Sequence, residues 1–321
     1  MDPFLNTHLM LNQLRLPNRV IYSPLAGCSD YPFRKIAARY RPGLMFCEMV
    51  KMEPLLMGNR NTLQILDYSE DMRPIGGQLC GSKKKLAGPA AKIVEDLGFD
   101  VVDLNCGCPV DKVTKDGSGS GMLRNPEMIG ELIAEMVAAV SIPVTVKIRI
   151  GWDFNSINAH EVVKIAEKAG AAAIFVHGRT RSQGYTGPAN WEYIKQCREV
   201  ATQIKVIGNG DVFTPKAALE MVEKTGCDAV LASRGTMGHP WLVEDILRTA
   251  SGQQMYSHDA KQALLDHFEL SAEYKSERGA LIDMRKVCCW YLKNSPGARQ
   301  MRSKASKMTT LEEIRELISG A

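Results

Sequence analysis

The stretch KVIGNGDVFTPKAALEMVEKTGCDAVLASRG, residues 205–235, contains one complete strand–helix–strand unit. Lys205–Gly208 is a short apolar run that reads as a strand, and Asn209-Gly210-Asp211 turns the chain. Thr214 then Pro215 marks a helix start: a threonine hydroxyl caps free N–H groups, and proline lacks the N–H that the first helical position leaves unbonded. Gly226 closes that helix, because a residue without Cβ tolerates the left-handed conformation. Ala229–Ala232 reads as the next strand, with Ser233-Arg234-Gly235 as its turn. Short strands that are apolar on both sides belong to a parallel sheet covered on both faces.

The same alternation extends outward in both directions. Strands are expected at Arg19–Leu25, Leu44–Glu48, Pro74–Leu79, Asp100–Leu104, Val144–Ile148 and Ala173–Val176. Helices are expected over Tyr31–Tyr40, in a run ending near Gly98 that starts or bends at Pro89, and from Asn125-Pro126 to Val140. Others cover Asn158–Ala169, Trp191–Val200 and Pro240–Thr249. Eight such units predict an α/β fold, a (β/α)8 TIM barrel with a C-terminal helical domain. An open doubly wound sheet would place a G-x-G-x-x-G turn after the first strand, but that turn is Pro24-Leu25-Ala26-Gly27-Cys28. Gly117-Ser118-Gly119-Ser120-Gly121 follows the fourth strand and reads as a flexible active-site loop. Beyond Ser257 only helices remain, at Ala260–Arg278, Ile282–Lys293 and Thr310–Ile318. The expected domains are a barrel over 1–250 and a helical domain over 258–321, joined by Ser251–Ser257.

Bulk properties agree. A chain of 321 residues suits a barrel of about 250 residues plus an appendage. No apolar run approaches the ~18–20 residues of a membrane helix, and Met1–Val20 carries no secretory pattern. Nine irregularly spaced cysteines suggest free thiols and a cytoplasmic location. The net charge of +4 is unevenly spread. Between Tyr274 and Lys307, nine basic residues (Lys275, Arg278, Arg285, Lys286, Lys293, Arg299, Arg302, Lys304, Lys307) face only Glu277 and Asp283. That segment carries +7 and the remainder −3, which suggests a polyanionic partner.

Barrel active sites lie at the C-terminal ends of the strands. The polar residues there are Glu48, Gln78, Asn105, Lys147 with Arg149, His177 with Arg179, Asn209 and Arg234. Glycine-rich turns after strands seven and eight (Asn209-Gly210-Asp211 and Ser233-Arg234-Gly235) suit phosphate binding, with Arg234 adding a charge. Lys147 would enter the barrel mouth, where a flavin ring needs a positive group at its N1–C2=O edge. Gln78 would meet the ring's polar edge. Alternatively, Lys147 pairs with Glu48 or Asp103. Cys106 and Cys108 admit a zinc half-site, buried packing, or a thiol exposed at a strand end. No second cysteine pair has suitable metal spacing, and Cys106 suits packing. A thiol of ordinary acidity stays mostly protonated at neutral pH, so Cys108 suits a proton donor better than a nucleophile. His177 stays open as a base.

The chain resembles the tRNA-dihydrouridine synthases, closest to the bacterial branch. The resemblance rests on Ser23-Pro24-Leu25-Ala26-Gly27, Gly77-Gln78-Leu79, Asp103 through Pro109, Val146 through Trp152, His177-Gly178-Arg179-Thr180, Gln183-Gly184-Tyr185, Gly208 through Asp211 and Ser233-Arg234-Gly235. Met284-Arg285-Lys286 and Trp290 through Lys293 extend it into the helical domain. It implies an FMN enzyme that uses NADPH to reduce the C5=C6 bond of specific tRNA uridines, with hydride from flavin N5 to C6 and a proton from Cys108 to C5. Pro24, Leu25 and Ala26 would touch the flavin through backbone. Gln78, Lys147 and His177 would line its ring and ribityl side, and Asn209, Gly210, Asp211, Ser233 and Arg234 its phosphate. Asn105, Arg149 and Arg179 would position the flipped-out base or its phosphates, and Arg285, Lys286 and Lys293 would grip tRNA. The expected partner is tRNA, with no membrane, no metal and a monomeric chain. The chain departs from the family at Leu25 (more often Met), Ser233 (usually Gly) and Val287 (commonly His), changes that bear on phosphate approach and on one tRNA contact. Two other readings share these residues: a flavin barrel oxidoreductase for a small pyrimidine or enone, and a non-catalytic RNA-binding barrel.

Overall fold

The computed structural model describes residues 3–294 and 298–320. The outer limits of the two expected domains, at 1 and 321, lie outside the described residues. Eight parallel strands form a closed ring: β1 (Val20–Tyr22), β2 (Leu44–Phe46), β3 (Ile75–Cys80), β4 (Val101–Cys106), β5 (Val144–Arg149), β6 (Ala173–His177), β7 (Lys205–Asn209) and β8 (Ala229–Ala232). β8 pairs with β1 through Ala232 and Tyr22, and β2 with β3 through Met45 and Ile75. β1 ends at Tyr22, short of the expected Leu25, because the chain leaves the sheet at Pro24, which has no N–H to continue a ladder.

Alternate residues of each strand face opposite ways. Ile21, Phe46, Phe175, Ile207 and Leu231 form one buried cluster with Leu9, Leu11 and Leu16 of a short N-terminal hairpin. This is the barrel interior. Val20, Val102, Val146, Val176 and Val206 belong to the larger cluster under the surrounding helices. Two positions beyond Phe175 and Ile207, the same inward face presents His177 and Asn209 at the mouth. The alternation along β4 and β5 does the same for Asn105 and Lys147.

Thr214 caps its helix by accepting from the Ala217 N–H, and Gly226 ends it at φ +65°, as expected. Asn125 stands at its expected cap position, but its side chain makes no capping bond. The helix after β3 starts at Lys84 and carries Pro89 inside it, earlier than expected. The 117–121 segment is not a flexible loop: residues 119–124 form a 3-10 helix whose Gly119 to Leu123 are buried. Short helices at Met52–Leu56, Arg60–Ile65 and Asp111–Thr114 fill mouth connections that sequence periodicity missed. No helix among the described residues is long and apolar enough to cross a membrane.

After residue 259, helices at Ala260–Tyr274, Glu277–Tyr291, Ala298–Ala305 and Leu311–Ser319 enclose their own cluster around Leu264, Phe268, Met284, Cys288 and Ile314. The first stops at Tyr274 rather than Arg278, because Lys275 is extended and Ser276 caps the next helix by accepting from the Gly279 N–H. Tyr274 stacks on Tyr31 of the barrel at 4.3 Å between ring centres, and Lys275 is bonded to both Asp30 and Asp283. These contacts seat the helical segment beside the loop after β1.

Candidate active site

One crevice of about 380 Å³ opens at the C-terminal end of the barrel. Gln78, Asn105, Lys147, Arg149, His177, Asn209 and Arg234 line it together with Pro24, Leu25, Ala26, Cys108, Gly210, Asp211 and Ser233. Glu48 and Arg179 do not line it. Glu48 accepts from the Gly27 N–H at 2.8 Å and so fixes the loop after β1. Arg179 is buried and spends its guanidinium on Asp211 at 2.7 Å and the Gly187 carbonyl. It therefore orders the loop after β7 instead of meeting a base.

A buried chain of hydrogen bonds runs from the strands to Cys108. Thr145 Oγ1 and Gln78 Nε2 both donate to Asp103 at 2.7 Å. Asn105 Nδ2 donates to Gln78 Oε1 at 2.8 Å, and its Oδ1 accepts from the N–H groups of Cys108 (2.9 Å) and Gly107 (3.2 Å). Ser120 completes the turn by donating both its N–H and its hydroxyl to the Cys108 carbonyl. Arg149 holds Gly107 from the other side through its carbonyl at 2.9 Å, and reaches the carbonyls of Thr180 and Gly184. The bonds that reach this turn all use the backbone of Gly107 and Cys108, which leaves the half-exposed thiol unengaged at the rim. Asn105 and Arg149, expected to position a base or its phosphates, hold the turn that carries the thiol. Gly119 lies against this turn: a Cβ there would stand 2.9 Å from the Cys108 carbonyl oxygen, and its φ is +58°. Asp103, Thr145 and Ser120 were missed as site residues. The signal for Asp103 was its place two residues before Asn105, on the same inward face.

Deeper in the crevice, Lys147 Nζ donates to Asn209 Oδ1 at 3.1 Å, and to neither Glu48 nor Asp103. Burial, then the nearby Arg149 charge, pulls its ammonium down to about 8. Burial pushes the Asp103 carboxyl up to about 6, opposed by its bonds from Gln78 and Thr145. His177 Nε2 lies 3.3 Å from Arg179 Nη1. Arginine only donates, so Nε2 accepts and the ring proton sits on Nδ1. Burial and then the surrounding cations hold His177 well below its ordinary value, and the ring is neutral. With Nε2 occupied, His177 serves as an N–H donor rather than as a base for Cys108.

The opposite end is a nest of backbone donors. Among the described residues, the N–H groups of Gly210, Asp211, Arg234 and Gly235 have no acceptor within the protein. Asp211 takes φ +58°, held by bonds to its carboxylate from Arg179 and the Ala189 N–H. The two loops touch at Gly235, where a Cβ would fall 2.2 Å from the Val212 carbonyl oxygen. Ser233 adopts φ −118°, so no glycine is required there, and its hydroxyl accepts from Asn209 at 2.9 Å. An inward ammonium, an amide and a neutral imidazole N–H at one end, with a guanidinium and four N–H groups at the other, fit a polar ring joined to a phosphate. Such a ligand is expected to bind most tightly between about pH 6 and 8. Above that window Lys147 loses its positive charge, and below it Asp103 gains a proton and weakens its hold on Gln78. Fluorescence titration of the apoprotein across pH 5–9 checks this.

The basic segment divides by role. Lys275 is consumed in docking, and Arg285 donates to the Met308 carbonyl. Lys286 and Lys293 are exposed and stand at the crevice rim, with their Nζ atoms 3.1 Å from the Gly27 carbonyl and 3.5 Å from the Met237 carbonyl. Arg278, Arg299, Arg302, Lys304 and Lys307 are exposed. Val287 is buried in the helical core, so the departure there changes packing and removes no surface contact. Among the described residues, no group of three or more His, Cys, Asp or Glu side chains is arranged to hold a metal ion.

The family model described as dihydrouridine synthase matches residues 21–319. The chain is 37% identical over 318 residues to a probable tRNA-dihydrouridine synthase 1 of Synechocystis sp., covering 98% of this chain and 89% of that protein. It is 38% identical to tRNA-dihydrouridine synthase B of Pseudomonas aeruginosa, covering 91% and 89%. Among solved structures, morphinone reductase superposes with a TM-score of 0.57 at 16% identity, covering 82% of this chain and 93% of that one. Histamine dehydrogenase from Rhizobium sp. 4-9 gives 0.59 at 16% identity, where 78% of this chain spans 48% of that chain. At such identities the likeness is one of fold.

Proposed function

The chain belongs to the dihydrouridine synthase family, and from that premise we propose that it reduces the C5=C6 bond of uridine in tRNA with FMN as cofactor and NADPH as reductant. It is an oxidoreductase. The observation that carries the reading is the Cys108 thiol, free and half-exposed on a turn pinned by Asn105, Ser120 and Arg149 at the rim of a crevice suited to a flavin.

Gln78, Lys147 and His177 meet the ring and ribityl side, and the backbone of Pro24, Leu25 and Ala26 lines the crevice beside them. Asn209, Gly210, Asp211, Ser233 and Arg234 form the phosphate end, with Asp211 acting through its N–H because its carboxylate already serves Arg179. The bound flavin supplies the hydride for C6 of the uracil, at the expense of NADPH. The target base must leave its stack to enter the mouth. Cys108 then gives its proton to C5, and the thiolate is reprotonated from solvent. Asn105, Arg149 and Arg179 act as positioning residues.

The barrel over 1–250 carries the chemistry, and the helical domain over 258–321 grips tRNA. Lys286 and Lys293 flank the mouth, and Arg285 ties the helix that carries Lys286 to the Met308 carbonyl. The enzyme acts as a monomer in the cytoplasm, where a chain with nine free cysteines keeps them reduced. The double variant Lys286→Gln with Lys293→Gln is expected to weaken tRNA binding about tenfold near physiological salt. It should also lower the slope of log affinity against log salt by roughly 1.4 to 1.8. Filter binding across a salt series reads both quantities.

Nucleoside mapping tests the activity in cells. A strain lacking this gene is expected to carry uridine where the parent carries dihydrouridine in tRNA, and the wild-type gene restores it. An unchanged profile in a host without redundant synthases refutes the proposal.

A further inference from the structure

Across the crevice from the helical domain, three loops of the barrel mouth converge on Trp152. Arg124, at the end of the 3-10 helix after β4, places its guanidinium carbon 4.2 Å from the centre of the Trp152 ring. Arg181, after β6, places its own at 4.5 Å. The loops are tied together: the Arg181 N–H donates to the Gly151 carbonyl, the Ser182 N–H to the Trp152 carbonyl, and Asn158 Nδ2 to the Leu123 carbonyl. Arg181 is paired with Asp111. Arg124 is exposed and has no carboxylate partner among the described residues, and the same holds for Lys112 and Lys115 beside it.

We propose that this Arg124–Trp152–Arg181 stack is a second RNA contact, binding phosphodiesters of the tRNA strand on the side of the crevice away from Lys286 and Lys293. The proposal rests on the tRNA reading above. β5, which leads into Trp152, lies four strands round the ring from β1, whose loop Lys286 touches. A strand that delivers a flipped base into the mouth must pass both rims. Stacking fixes the plane of the Arg124 guanidinium while leaving its N–H edge free, and this suits the forked geometry that phosphate oxygens accept. Fixing it beforehand also lowers the ordering cost of binding. Phe154, two residues on in the same loop, is also exposed.

Affinity for tRNA across a salt series, measured on the flavin-loaded enzyme, tests the assignment. Arg124→Gln is expected to weaken binding on the order of fivefold and to lower the log–log salt slope by about 0.7 to 0.9, the mark of one lost phosphate contact. Arg124→Lys keeps the charge and should keep the slope while losing part of the affinity. Flavin content and melting temperature should match the wild type in both. Wild-type affinity and slope in Arg124→Gln overturn the proposal. So does a lowered melting temperature with an unchanged slope, which identifies the stack as packing alone. If the wild-type enzyme itself fails to bind tRNA, the tRNA reading falls first and this contact with it.

Discussion

Cys108→Ala is expected to lower dihydrouridine formation by about 10²–10⁴-fold, the usual contribution of a positioned general acid, while the protein stays yellow and still oxidises NADPH. The geometry explains why the two halves of the reaction should separate. Asn105 and Ser120 hold Cys108 through its N–H and carbonyl, and Arg149 holds the Gly107 carbonyl. Alanine keeps all of these, so the turn and the crevice behind it survive. Only the proton source for C5 is removed. Serine at this position restores the shape but not the acidity, and should rescue little. Quantifying dihydrouridine in tRNA after incubation with each variant, next to the rate of flavin reduction by NADPH, separates the steps. Wild-type dihydrouridine levels in Cys108→Ala would falsify the donor role.

Lys147→Met is expected to act at the earlier stage, slowing flavin reduction by NADPH by about 10²–10³-fold, the range for losing one preorganised electrostatic contact. The variant keeps the length of the side chain and removes the charge. Reduction places negative charge on the N1–C2=O edge of the ring. Lys147 is the ammonium buried in the crevice, and burial already pulls it down to about 8. That cost of holding a charge inside is recovered only when a negative partner arrives. The flavin midpoint potential should fall in Lys147→Met, and Asn209 Oδ1 should lose its donor. Stopped-flow reduction and a potentiometric titration read the two effects. An unchanged potential would remove Lys147 from its assigned place.

The strand count, the barrel and the mouth were legible because they rest on local signals. Cap-then-proline at Thr214-Pro215, glycine at Gly226 and short apolar runs all act within a few residues. The inward placement of Lys147, His177 and Asn209 followed from strand ends alone. What stayed hidden depends on contacts between distant segments. Arg179 looked like a free cation until Asp211, 32 residues on, accepted from it. Glu48 looked like a mouth carboxylate, but it serves the Gly27 N–H. The glycines at 117–121 suggested mobility, whereas Gly119 is the small residue that lets a 3-10 helix pack under Cys108. Val287 seemed to cost a tRNA contact, and only helix packing reveals that its position faces inward.

The most direct test is a single reaction: purified flavin-loaded enzyme, NADPH and unmodified tRNA, followed by mass spectrometry of the digested nucleosides. The account predicts that uridine gains two hydrogens at defined tRNA positions, with one NADPH consumed for each. No change in tRNA, alongside full turnover of a free pyrimidine or enone in the same vessel, would contradict it and identify a small-molecule reductase instead.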